Sequence, residues 1–225
     1  RAVGPDFPVS VKMNSADFQK GGFTIEESIE VIALLNPEGI DLLEISGGSY
    51  NAPVMIGIVG NETNPLARPK AQSTLRREAY FRDYAAQARP VARMPLMMTG
   101  GFRTRAGMEE ALSSGDTDVI GLARPFCVST DFCRGLLNRR ISEAPAIEQR
   151  LLLDRKAHSD LDDRAFNLLE SDHQLAWMYL QLVRLGDGLD VDWSLPLTEA
   201  PARFAESESS RERARRAAQA VPESV

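Results

Sequence analysis

Short apolar runs alternate with amphipathic stretches through the first half of the chain. Residues 7–14 form the first run, short and β-branched around Val9 and Val11, and predict a buried strand. A polar loop follows, and then Thr24 and Glu27 take the spacing of a capping box. Ile25, Ile29, Ile32 and Leu35 recur at helical spacing, and residues 36–39, Asn-Pro-Glu-Gly, stop that helix. Residues 40–46 predict a second strand running into Gly47 and Gly48. After a loop containing Pro53, Pro65 and Pro69, Leu75, Ala79, Tyr80, Tyr84 and Ala88 share a face of a helix over about residues 73–89. A third strand, 95–99, ends in Gly100, Gly101, Phe102 and Arg103, with its helix over 104–114 stopped by Gly115. A fourth strand, 118–123, ends in Arg124 and Pro125.

Four strand–helix units in series predict an α/β fold with a parallel sheet. An open doubly wound sheet and part of a (β/α)8 barrel both fit, and in both the site lies at the strand C-termini. The remainder reads as helical and more polar. Residues 131–140 predict a short helix, 148–164 are rich in charge, and 172–185 are amphipathic, with Leu175, Tyr179, Leu182 and Trp177 as apolar anchors. Residues 206–216 are poor in apolar side chains and read as a solvated helix or a disordered tail.

Composition narrows the function classes. The chain has 225 residues, a net charge of −6, two Cys and two His. That length buries a core without disulfides. The acidic balance disfavours nucleic acid, two Cys do not make a disulfide scaffold, and no apolar run approaches the ~18 residues of a membrane span. The N-terminus lacks a signal-peptide pattern and begins without Met, so a fragment is expected, and the acidic balance and Cys usage lead to the expectation of a cytoplasmic setting.

The chemistry-bearing residues gather at the predicted strand ends. Gly100 and Gly101, between a strand and a helix, let backbone N–H groups approach an anion beside a helix N-terminus. Residues 121–125, Gly-Leu-Ala-Arg-Pro, repeat the arrangement on the next strand, and two such turns in succession match the phosphate cup of many (β/α)8 barrels. Lys12, inside an apolar strand, either holds an anionic group or a flavin ring edge, or snorkels to water. Glu44 and Ser46 share one face of their strand and either bind a ligand or, for Glu44, pair with Lys12. Arg124 either clamps a phosphate or joins a surface ion pair. Cys127 and Cys133 lack a zinc spacing and read as packed thiols. His158 and His173 read as surface or capping groups, and no metal site is expected.

Residues 6–18 with 21–24, residues 43–50, 99–104 and 121–126, and the Trp177 and Tyr179 helix with residues 186–190 after it, together resemble the NADH:flavin oxidoreductases, the Old Yellow Enzyme family. The resemblance covers roughly residues 1–195. It implies a (β/α)8 TIM barrel with FMN at its C-terminal mouth, of which only the last four strand–helix units are present, with a C-terminal helical extension. It divides the chain into half a barrel (1–145), helices packing on it (146–195) and a charged tail (196–225). It implies Lys12 near the flavin N1 and O2 edge, and Gly100, Gly101, Phe102, Ala123 and Arg124 about the FMN. It also implies hydride transfer from NAD(P)H through FMN to a small-molecule acceptor such as an alkene conjugated to a carbonyl. The family's acceptor-binding His pair and Tyr proton donor precede the matching region, so no acid catalyst is assigned and this chain alone is expected to be inactive or very weak. A homo-oligomer fits the family; a nucleic acid or membrane partner does not. Two other readings are a phosphate-binding half barrel of another TIM-barrel enzyme, and a non-catalytic fragment associating through its exposed sheet edge.

Overall fold

The computed structural model describes residues 4, 6–17, 21–46 and 82–219. The residues following β2, with the first part of the predicted 73–89 helix, lie outside the described residues. The chain divides into two compact units: Arg1–Ala123 with Asp131–Ala144, and Arg124–Thr130 with Pro145–Val225.

The first unit is a four-stranded parallel sheet with its helices. Strands β1 (Ser10–Asn14), β2 (Leu42–Ser46), β3 (Leu96–Thr99) and β4 (Val119–Gly121) lie side by side in chain order. Helix α1 (Ile25–Leu35) starts at the expected capping box: Glu27 N donates to Thr24 Oγ1 and Thr24 N donates to Glu27 Oε2. Pro37 and Gly39, at φ 68°, end it. Helix α2 (Arg82–Ala88) precedes β3, and α3 (Arg105–Ser113) begins at Thr104, whose hydroxyl accepts from Gly107 N at 3.0 Å.

Alternation sorts the strand residues onto two faces. Val11, Met13, Leu43, Ile45, Leu96, Met98 and Ile120 face the helices, joining Ile32, Ala85, Ala88, Met108 and Ala111 in one core. The other face carries Lys12, Glu44, Met97 and Val119 in one register row. At the end opposite the candidate site, Asp118 ties β3 to β4: its Oδ2 accepts from Leu96 N at 2.8 Å and from Arg89 Nη1 at 2.6 Å.

The strands are shorter than the apolar runs. Residues 7–9 stay outside the β1 ladder, since Pro8 has no N–H and Val9 N is taken by the Asp41 carboxylate. Residues 131–140 yield a shorter helix, α4 (Phe132–Leu137). Arg139 at φ 62° ends that turn where no glycine marks the stop.

The second unit is built on α5 (Asp163–Gly186), capped by Asp162, and α6 (Ala200–Gln219). Trp177, Met178 and Ala176 pack with Cys127, Ile147, Leu151, Leu195 and Ala200. One expectation is corrected here. Trp177 is 1% exposed, but Leu175 and Leu182 are 48% and 41% exposed and do not anchor the helix, while Tyr179, 46% exposed, stacks on Phe204 of α6 at 5.4 Å between ring centroids. The buried face of α5 instead includes Gln181, whose Oε1 accepts from Asp192 N at 2.7 Å. The charged stretch 206–216 is helical, with Glu212 between Arg215 and Arg216.

Candidate functional site

All the predicted residues except Arg124 lie on the strands of the first unit or in the turns after β3 and β4. β1 and β2 run in register, so Lys12 and Glu44 are partners on one face, and Lys12 Nζ donates to Glu44 Oε1 at 2.9 Å. Of the alternatives open for Glu44, the pair with Lys12 is the one formed. Ser46 is buried on the same face beyond Glu44. Asn14 Nδ2 donates to Asp17 Oδ1, and Asp17 Oδ2 accepts from Phe23 N, so the loop after β1 is tied to its strand end.

β3 ends in the double-glycine turn. Gly100 has φ 131° and Gly101 φ 80°, a region that disfavours any side chain. Thr104 then caps α3, so the turn delivers the chain to a helix N-terminus as expected. The Phe102 side chain is 1% exposed and sits in the first unit's core. Its carbonyl accepts from Arg103 Nη1 at 2.9 Å.

The neighbouring strand end contributes Gly121, the register partner of Thr99. A Cβ at Gly121 would fall 1.8 Å from Thr99 Oγ1, so only glycine fits there. Ala123 follows, exposed, two residues past the strand. Arg124 belongs to the second unit, where its Nη1 lies 3.6 Å from Glu148 Oε1. The structure therefore places Gly100, Gly101 and Ala123 after the C-terminal ends of β3 and β4, leaves Lys12 in the middle of β1 rather than at the expected strand end, and assigns Arg124 to the other unit.

Sequence reasoning gave no role to Thr99. Its hydroxyl is buried and has no hydrogen-bond partner among the described residues. A buried hydroxyl without a partner costs about 1–3 kcal/mol. A polar residue closing an apolar run directly before Gly-Gly was the available signal. An orphaned hydroxyl beside a turn that rejects side chains, at the start of a helix, fits a phosphate-bearing ligand such as FMN.

The remaining candidates are structural. Burial pushes the Cys127 thiol up to about 11 and raises that of Cys133. His158 packs on Phe166, and His173 Nδ1 is 2.9 Å from Leu169 O. Among the described residues no helix is long and apolar enough to cross a membrane, and no group of three or more His, Cys, Asp or Glu gathers to hold a metal.

Comparison with known proteins bears out the resemblance read from the sequence. The chain is 39% identical over 133 residues to an NADH-dependent flavin oxidoreductase of Neonectria sp. (strain DH2), covering 57% of this chain and 17% of the relative. To proteins of the same name it is 42% identical over 128 residues in Talaromyces variabilis (56% and 30%) and 35% over 150 residues in Aspergillus parasiticus (65% and 31%). The chain thus spans less than a third of the length of these curated relatives. No family model matches it. Among solved structures, a 2-naphthoyl-CoA reductase complex aligns with TM-score 0.49 and 22% identity, over 63% of this chain and 20% of that one. An Old Yellow Enzyme homologue from Zymomonas mobilis aligns with TM-score 0.40 and 19% identity, over 68% and 38%.

Proposed function

We propose that this chain supplies the last four strand–helix units of a (β/α)8 barrel in an FMN-dependent NAD(P)H oxidoreductase. The observation that carries the reading is the end of β3: a double-glycine turn at positive φ, leading into a capped helix beside the orphaned Thr99 hydroxyl. Relatives named as NADH-dependent flavin oxidoreductases support it.

When bound, FMN supplies electron transfer from NAD(P)H to an acceptor such as an alkene conjugated to a carbonyl. The chain's own residues bind and orient it. Gly100 and Gly101 bring the backbone close to the phosphate, where the N-terminus of α3 favours negative charge. Gly121 leaves room for the Thr99 side chain, whose hydroxyl provides a hydrogen bond. Lys12 offers a cation to the electron-rich edge of the ring system. Ala123 enters the phosphate site through its backbone by resemblance. The acceptor is a small molecule, and the setting is cytoplasmic.

Titration of the chain with FMN, followed by flavin fluorescence, tests this. The expected result is saturable micromolar binding, tighter than that of riboflavin, which lacks the phosphate. Gly101→Val and Lys12→Met should each weaken it ~10-fold, the magnitude of one charge-assisted contact. Riboflavin binding as tightly as FMN removes the phosphate cup; no saturable binding removes the reading for this chain.

A further inference from the structure

We propose that Glu44 is a positioning residue that sets how much of the Lys12 charge is available to an anionic ligand. Toward flavin, which rests on the functional reading above, the pair would disfavour the reduced, anionic form relative to an unpaired lysine. The two residues are register partners across β1 and β2, on the sheet face away from the helix-packed core. Their Nζ···Oε1 distance is 2.9 Å. Beyond Glu44 in the same row come Met97 and Val119, so the row holds one cation, one anion and two apolar side chains. The Glu44 side chain is 19% exposed and that of Lys12 is 52% exposed. The less exposed carboxylate is the fixed partner, and the ammonium reaches to it from the more open position. An ammonium has three donors, and Glu44 engages one.

The consequence follows from Coulomb's law. A carboxylate in contact with the ammonium cancels part of its attraction for a second anion. Reduced flavin is anionic at neutral pH and the oxidised ring is not. Removing the Glu44 charge should therefore strengthen binding of the reduced form more than that of the oxidised form. A purely structural Glu44 would alter both affinities together.

The experiment measures oxidised and dithionite-reduced FMN affinities anaerobically, with Lys12 acylation rates mapped by peptide mass spectrometry. Glu44→Gln should raise the reduced-to-oxidised affinity ratio ~3–10-fold, and Lys12→Met should lower it by a similar factor. Glu44→Asp, which keeps the charge, should stay near the original ratio. Without any flavin, Glu44→Gln should speed Lys12 acylation ~3-fold or more, because Nζ is no longer engaged by a carboxylate at 2.9 Å. High salt should speed it in the unmodified chain, which serves if the variant fails to fold. An unmoved affinity ratio, or acylation unmoved by both the substitution and salt, overturns the proposal. A shift in acylation with no flavin binding in either redox state fails the flavin reading and leaves the Glu44 assignment standing.

Discussion

Asp118 shows how one side chain can hold two strands in register. The backbone hydrogen bond from Leu96 lowers its pKa below the ordinary carboxylate value, and Arg89 adds to the shift against the opposing effect of burial. A depressed folded pKa gives stability that is complete above the unfolded value of about 3.9 and is lost as pH falls through the folded value. Asp118→Asn should therefore lower the unfolding midpoint near neutral pH and flatten its fall below pH ~4. Urea unfolding at a series of pH values checks this; an unchanged acid limb would contradict it. At this scale the sequence was informative where geometry follows from residue type. Gly100 and Gly101 adopt the positive φ that their position before a helix implies. Lys12 inside an apolar strand is legible as a residue with a role, but not its partner, which the register of β1 and β2 supplies as Glu44. The Thr99 hydroxyl was silent, because its lack of a partner depends on what surrounds it in space.

Among the elements, α5 separates pattern from burial. Its sequence carries apolar residues on more than one face, and periodicity alone does not say which face turns inward. Trp177 anchors it by packing in the core, with Nε1 donating to Leu195 O at 3.2 Å. Leu175 lies on the exposed side. Trp177→Ala should cost ~3–5 kcal/mol, as for large aromatic truncations in cores. Leu175→Ala should stay within about 0.5 kcal/mol, as for surface substitutions. Chemical denaturation of both variants checks the assignment; equal losses would refute it. The other elements were legible in proportion to their local signals. The Thr24 capping box marked the start of α1 and Pro37 its stop. The end of α4 at Leu137 carries no such residue, because Arg139 rather than a glycine takes the positive φ beyond it, and the spacing predicts a longer helix than forms.

Across the whole molecule, the outstanding feature of the first unit is its sheet. Parallel sheets are ordinarily covered on both faces. Helices of the described residues pack on one face, and among those residues no strand pairs with the outer edge of β1 or of β4. Unpaired edges template association. Sedimentation should show association that grows with protein concentration and persists without flavin; a strictly monomeric chain over a hundredfold range would contradict this.

The sequence by itself determined the parallel α/β order, the helix caps, the glycine turns at the strand ends and the family resemblance. Each of these is written in residue type and spacing, through local sterics and short-range hydrogen bonds. Tertiary structure alone decided the exposure of Leu175, Tyr179 and Leu182, the closure of the Lys12–Glu44 pair, the orphaned Thr99 hydroxyl and the place of Arg124 beside Glu148. Those depend on which surfaces meet in space, and burial and pairing between residues distant along the chain leave no local trace in spacing.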